Sequence, residues 1–327
     1  KRQLRPMPTS LARPLGVVLL LVAACGSPDD EGARQALDRD RAALASGPTE
    51  PTRCAAVYPE REAFFGDLHV HTSLSSDAWM FDVRVRPADA YRYAFGGSLR
   101  LPPLDDEGAS TREVAIDRPL DFAAVTDHAE FLGEGVICTD PGKEGYESDF
   151  CETFRNGTGR DPALVFQIMS PWNWRDADTC GDGDVRCKEA SSLAWRETID
   201  AAEAFNDTSD ACERTTFVAY EYSSFRMGSN LHRNVIFRNA TVPAIPTSYL
   251  EAQREWDLWE TLRTECVDAG TGCDAIAIPH NSNISNGRMF AVDYPGCLLY
   301  TSPSPRDCNE YLVCRLLLEK RGGGGGG

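Results

Sequence analysis

Phe65-Gly66-Asp67-Leu68-His69-Val70-His71-Thr72, followed closely by Ser76-Asp77, is the stretch around which the chain is organised. Read as a β-strand, it sends successive side chains to opposite faces. Asp67, His69 and His71 then share one face, and Leu68 and Val70 the other. Two imidazoles on one strand face form either a metal pincer or a buried structural pair, and the stretch alone does not choose between them.

The other histidines decide it. Only five occur in 327 residues: His69, His71, His128, His232 and His280. Leu120 to Thr126 is a compact apolar strand that delivers Asp127-His128 at its end. Thr215 to Tyr220 is β-branched and aromatic and leads to Glu221-Tyr222. Leu231 to Phe237 is a strand carrying His232, and Ala275-Ile276-Ala277-Ile278 leads to Pro279-His280. Between the strands, Pro87 to Phe95 reads as a helix opened by proline, with further helices over Ser191 to Asn206 and about Ser248 to Glu265. A polar stretch runs to Arg118. The segment 129–190, with four cysteines and many Gly, Asp and Pro residues, reads as a disulfide-braced insertion or lid. Strands alternating with helices indicate an α/β architecture with parallel strands, whose C-terminal ends in a barrel converge on one mouth. All five histidines and Glu221 can meet there, which favours the pincer.

Composition bounds the partners. A hydrophobic fraction of 42% with 25% charged residues is that of a globular protein. The formal net charge of -17, with acidic residues spread throughout, offers no basic surface for a nucleic-acid backbone. An acidic protein acting on anionic substrates needs local positive charge, and bound cations are one source.

Both ends are expected to lie outside the domain. Residues 1–24 combine a basic start with the apolar run Leu15 to Ala24, as in a secretory signal too short to span a membrane as an ordinary helix. Val22-Ala23-Ala24-Cys25 resembles a bacterial lipobox, which implies acylation of Cys25 and a lipid-anchored protein of the bacterial cell envelope, facing the periplasm or on the outer membrane. A plain signal peptide with a chance cysteine is the alternative. Residues 25–55 read as a polar tether, and 56–296 as the domain. Cys297 to Asp307 resembles translated sequencing adapter, so 297–327 is read as artefact and the natural sequence is expected to stop at about Gly296, a real Ser/Pro linker with a Gly tail being the alternative. Removing both ends takes away more basic than acidic residues and leaves the remainder more acidic still. It also leaves Cys54, Cys138, Cys151, Cys180, Cys187, Cys212, Cys266 and Cys273, an even set that in an exported protein points to disulfides. Cys180/Cys187 and Cys266/Cys273 are the short-loop candidates. Zinc binding by these cysteines is disfavoured by the absence of close Cys-X-X-Cys pairs.

Taken in order, Gly66-Asp67-Leu68-His69-Val70-His71-Thr72 with Ser76-Asp77, Thr126-Asp127-His128, Glu221 and Pro279-His280 resemble the successive motifs of the polymerase and histidinol phosphatase (PHP) superfamily of metal-dependent phosphoesterases. More narrowly, Asn230-Leu231-His232-Arg233-Asn234-Val235-Ile236-Phe237-Arg238 and Ile278-Pro279-His280-Asn281-Ser282-Asn283 look like an uncharacterised bacterial branch known only as a domain of unknown function. The resemblance implies a distorted (β/α)7 barrel, C-terminally truncated here, holding two or three Zn, Mn or Fe ions. His69 and His71 would bind one ion, Glu221 would bridge, and His128, His232 and His280 would complete the neighbouring positions. Asp77 is read as a further ligand and Asp127 as catalytic, although Asp67, Asp77 and Asp127 could each support ligands from behind instead. The family's closing Asp-X-His is absent before residue 297.

Imidazole with carboxylate suits borderline divalent metals, and paired ions can clamp a phosphoryl displacement while activating water. Arg226, Arg233 and Arg238 are candidates to hold substrate oxyanions, Arg233 foremost, or else strand-surface arginines paired with carboxylates. Trp256 and Trp259 fit core packing better than a ligand platform. The expected function is an exported metal-dependent hydrolase acting on a small anionic ester. The alternatives are an amidohydrolase-type enzyme, for which no strand-end lysine is evident, and a non-catalytic metal- or ligand-binding surface lipoprotein.

Overall fold

A computed structural model describes residues 63–157, 174–225 and 228–289, and the backbone of 293–294 and 297–298. Residues 1–62 lie outside this set, and with them the expected signal, Cys25 and tether.

Three strands run parallel: β1 (Gly66–Val70), β4 (Phe122–Val125) and β5 (Thr215–Phe217), in the order β1-β4-β5. Three more are antiparallel: β6 (Ala219–Ser224), β7 (Leu231–Phe237) and β8 (Ala275–Pro279). Only Val218 separates β5 from β6, and His128 bridges to Glu221 in parallel, so the two sheets meet along one line. Gly66 is required by the close approach of β1 to β4, because a Cβ there would lie 2.3 Å from the Phe122 carbonyl oxygen.

The expectation of uniformly parallel strands is corrected at β7. Residues 225–230 are too short a connection for a crossover, which needs about a dozen residues, so β7 must turn back against β6. Reversal brings its N-terminal end, where His232 sits, to the edge at which β1, β4 and β8 finish. The mixed α/β class holds, and among the described residues the strands do not close into a barrel.

The main core lies between one sheet face and the helices α2 (Pro87–Ala94), α6 (Val185–Phe205) and α7 (Glu255–Leu262); α1 and α3 to α5 are placed below. It contains Tyr91, Val125, Trp195, Ile199, Tyr220, Tyr222, Val235, Phe237, Leu258 and Leu262. Proline opens α2 at its first turn, where no intrahelical N–H is lost, and the Asp89 carboxylate accepts the Arg86 N–H at 3.0 Å. The helix expected from Ser191 begins at Val185. The one expected over about Ser248 to Glu265 is helical only from Glu255 and passes into a π-helical turn at Arg263–Val267. A smaller apolar floor of Ala124, Ala219 and Ile236, with Leu68 against it, covers the opposite sheet face. The stretch up to Arg118 contains an unexpected hairpin, β2 (Leu99–Leu104) with β3 (Ser110–Val114), whose Pro102 and Pro103 argue against a strand in sequence.

The cysteine-rich segment forms its own small core. Cys138–Cys151 joins α3 (Leu132–Thr139) to α4 (Asp149–Asn156), and Cys180–Cys187 joins α5 (Ala177–Cys180) to the start of α6. Phe131, Ile137, Phe150 and Phe154 fill the space between, against Trp79 and Met80 at the end of α1 (Ser76–Met80). Cys266–Cys273 is the second expected short loop. Cys212 is also disulfide-bonded.

Candidate metal centre

The site starts with a bulge. Between Asp67 and Val70 the register of β1 against β4 slips, with three steps on β1 matched to two on β4. A bulge of this kind turns consecutive side chains to one side, and the expected alternation is corrected accordingly. Leu68 packs on the apolar floor with Ala124 and Ala219, whereas Val70 packs in the main core beneath the helices. His69 and His71 both face the floor side, at its upper edge. The Asp67 carboxylate accepts the His69 N–H at 2.9 Å, so Asp67 serves the bulge rather than the imidazole cluster.

Glu221 is the centre. Its side chain is fully buried and reaches four imidazoles: His69 Nε2 at 3.0 Å and His71 Nε2 at 2.8 Å from Oε2, His280 Nε2 at 3.0 Å and His232 Nδ1 at 2.6 Å from Oε1. His128 Nδ1 stands 3.7 Å from Oε1 and contacts the Ser223 hydroxyl, while its Nε2 is 3.5 Å from Asp77 Oδ2. Asp77 also lies 3.0 Å from His71 Nδ1 and accepts the Ser75 hydroxyl at 2.7 Å. The cluster opens to solvent at His69, whose side chain is 38% exposed against 8 to 15% for the other four. All five predicted histidines, Glu221 and Asp77 are thus brought together.

Their charges are coupled. Burial alone would raise Glu221, but the charge of His128 and hydrogen bonds from His232, His280 and His69 hold it far below the usual carboxylate range. Asp77 is likewise depressed, His128 and His71 outweighing burial. Burial pulls His71 down, yet its hydrogen bonds to Asp77 and Glu221 leave it well above its ordinary value. His128 is raised against burial by the charges of Glu221 and Asp77. His232 is lowered by burial.

The donor set fits divalent cations. Two carboxylates and five imidazoles face one another across a small space. Three groups have ligand-capable atoms within 4.8 Å of one another: His69, His71 and Glu221; His71, Asp77 and His128; His128, Glu221 and His232. Imidazole with carboxylate is the donor chemistry of Zn, Mn and Fe. A fourth group of Glu134, Cys180 and Cys187 does not fit, because its sulfurs are joined in a disulfide and Arg175 holds Glu134 at 2.6 Å.

Two residues expected to be catalytic lie elsewhere. Arg233 projects from the opposite face of β7 to His232, as strand alternation requires. It is 2% exposed, donates to the Leu231 carbonyl at 2.6 Å and lies over Trp259, 3.7 Å from Glu255. Asp127 is buried behind the cluster, where it accepts the Thr72 backbone N–H at 2.5 Å and the Thr72 hydroxyl at 2.7 Å. This ties the exit of β1 to the exit of β4. Burial raises the Asp127 carboxyl, while both Thr72 bonds lower it. Arg238 is exposed, 3.7 Å from Asp274 near the far end of β7, and Arg226 lies outside the described residues.

Ser75, Ser223 and Thr72 were not anticipated. Ser223 was accessible in principle, since it stands two residues beyond Glu221 on the same strand face. No helix among the described residues is long and apolar enough to cross a membrane.

Residues 58–298 match the family model described as "Protein of unknown function (DUF3604)", and the chain belongs to that family. No curated protein and no solved structure matches the chain.

Proposed function

We propose that this DUF3604 member is a metal-dependent hydrolase of small anionic esters, phosphate esters foremost, built on a PHP-like barrel. One observation carries the reading: a fully buried carboxylate, Glu221, is shared by four imidazole nitrogens at 2.6 to 3.0 Å with a fifth histidine at 3.7 Å. A core residue or a simple ion pair needs one such partner.

His69, His71 and Glu221 would hold one cation, and Glu221 with His128, His232 and His280 a second. Bound divalent cations would supply an activated water and neutralise substrate charge. The chain's residues supply the rest. Asp77 accepts a proton held on His71 Nδ1, which leaves Nε2 as the donor atom facing the Glu221 side. Asp127 and Thr72 fix the loop that follows His71. His69, the most exposed member, marks the side from which substrate enters. With Arg233 and Arg238 turned elsewhere, bound cations would carry much of the anion recognition.

Export with a lipid anchor at Cys25 is part of the same proposal. The three disulfides within the described residues support an oxidising compartment.

The test is elemental analysis of the purified protein, followed by assay against phosphomonoesters, phosphodiesters and carboxylic esters. Two or three divalent ions with phosphoesterase turnover, both lost in His69→Ala/His71→Ala with the fold intact, is the expected result. Absence of metal refutes the reading, and metal without turnover across the panel favours a binding protein.

A further inference from the structure

The peptide joining Leu68 to His69 lies inside the β1 bulge, where the register with β4 slips. Both of its polar groups go to side chains. The N–H is taken by Asp67 at 2.9 Å, and the carbonyl accepts from Asn234 Nδ2 at 2.8 Å, across 166 residues of sequence. Asn234 belongs to β7, a strand with no backbone pairing to β1. It stands opposite Glu221 in the β6–β7 ladder, and directly opposed residues project from the same sheet face. The amide orientation is determined, because the Leu68 carbonyl can only accept and must therefore meet the NH2 group. Asn234 is 4% exposed, and its Oδ1 is buried with no hydrogen-bond partner among the described residues. It shares its sheet face with Ile236 and Ala219 of the apolar floor. An amide in such a place is costly unless its bond does something an aliphatic side chain cannot.

We propose that Asn234 is a positioning residue: with Asp67 it clamps the Leu68–His69 peptide plane from both sides and thereby aims His69 at Glu221. Among the described residues the edge strand β1 has no ladder partner on its outer side, so the clamp supplies a restraint that a second neighbour would otherwise give. The inference rests on the metal-centre reading only for its consequence. The clamp itself is a property of the polypeptide.

Two variants of nearly unchanged size test it. Asn234→Leu removes the donor, and Asn234→Asp keeps an acceptor but, ionised, cannot donate to the Leu68 carbonyl. Hydrogen exchange on the metal-stripped protein should show protection across 68–72 falling about tenfold in both variants, with α6 unchanged. Titration with cobalt(II) should show affinity at one position falling by about 10 to 100-fold and an altered visible d–d spectrum in both, relative to wild type. Unchanged exchange in Asn234→Leu overturns the clamp. Wild-type exchange and spectrum in Asn234→Asp, with Asn234→Leu impaired, also overturns it, since the donor would then be irrelevant. If wild type takes up no cobalt while the exchange differences appear, the clamp stands and the metal reading falls.

Discussion

Glu221→Gln is the most informative single change, because the substitution keeps the shape while removing the charge and turning one of two acceptor oxygens into an amide donor. Glu221 belongs to two of the three ligand-capable groups, His69/His71/Glu221 and His128/Glu221/His232, and is absent from His71/Asp77/His128. Glu221 would share its single charge between two divalent cations, so the product of charges per cation is about one, worth about 5 kcal/mol at about 3 Å and an effective dielectric of about 20. The lost carboxylate would have paid a desolvation penalty of several kcal/mol on burial, which offsets part of that. A net loss of about 3 kcal/mol per cation is therefore expected, or about 100-fold in affinity. The Glu221→Gln variant should lose tight binding at two positions together. His232→Ala should weaken only one, because His232 occurs in a single group. The assay is calorimetric titration of chelator-stripped protein with zinc, with ion counts after desalting and circular dichroism to confirm the fold. Equal stoichiometry and affinity in wild type and Glu221→Gln would refute the assignment of Glu221 as the shared ligand. Equal losses in both variants would refute the division into separable positions.

Three further outcomes are expected. Asp127→Ala should destabilise the protein by about 1 to 3 kcal/mol in urea unfolding, because the buried Thr72 N–H and hydroxyl lose their acceptor. Arg233→Met should lower stability, by up to about 3 kcal/mol if Glu255 is left buried without its partner, while leaving the ratio kcat/KM unchanged. In metal-free protein, Asp77 and Glu221, held low, contribute stability present above about pH 4 and lost as pH falls further. His71 and His128, held high, contribute stability complete below about pH 6.5 and lost as pH rises through their raised values, with His232 opposing them. Zinc should reverse the upper limb, because it binds deprotonated imidazole; a melting temperature that climbs from about pH 6.5 to about 8.5 without metal contradicts this balance.

The imidazole–carboxylate cluster is legible in the sequence because its parts are chemically scarce and locally placed. Five histidines at strand boundaries, with Glu221 in an apolar run, give each side chain a context that periodicity alone can interpret. The course of β7, Leu231 to Phe237, is also readable, since Val235, Ile236 and Phe237 close it with a β-branched and aromatic run. Its direction escapes a reading by periodicity, although the short connection 225–230 excludes a crossover. Arg233 is misplaced by neglect of the same alternation that places His232: one faces the cluster, so the next must face the helices. The β1 bulge has no such signal. Whether Leu68 and His69 turn to one side depends on register against β4, a property of two strands that neither spells out. The hairpin at Leu99–Val114 is hidden by its prolines. The Thr72 bonds of Asp127 escape a sequence reading because a carboxylate beside His128 looks the same whether it faces an open site or a threonine.

These two failures, direction and register, bear on why the centre is so compact. A wholly parallel set of strands contributes only C-terminal ends to a mouth. Here the reversal of β7 brings a strand beginning to the same edge, with Ser223 and His232 paired across the ladder and Glu221 opposite Asn234 further along it. The bulge in β1 then turns Leu68 to the floor and His69 to the cluster from adjacent positions. Straight alternation would have put Leu68 on the helix side with Val70 and opened a gap beneath the imidazoles. Restoring regular pairing, by deleting Leu68, should therefore do more harm than any single ligand substitution. It would carry Asp67 into the floor and strip the clamp from His69, so both fold stability and cation binding are expected to be lost together, whereas His69→Ala should spare the first and weaken only the second. Urea unfolding of the two variants, beside zinc titration of each, separates these outcomes, and a Leu68 deletion that folds and binds zinc like wild type would refute the role given to the bulge.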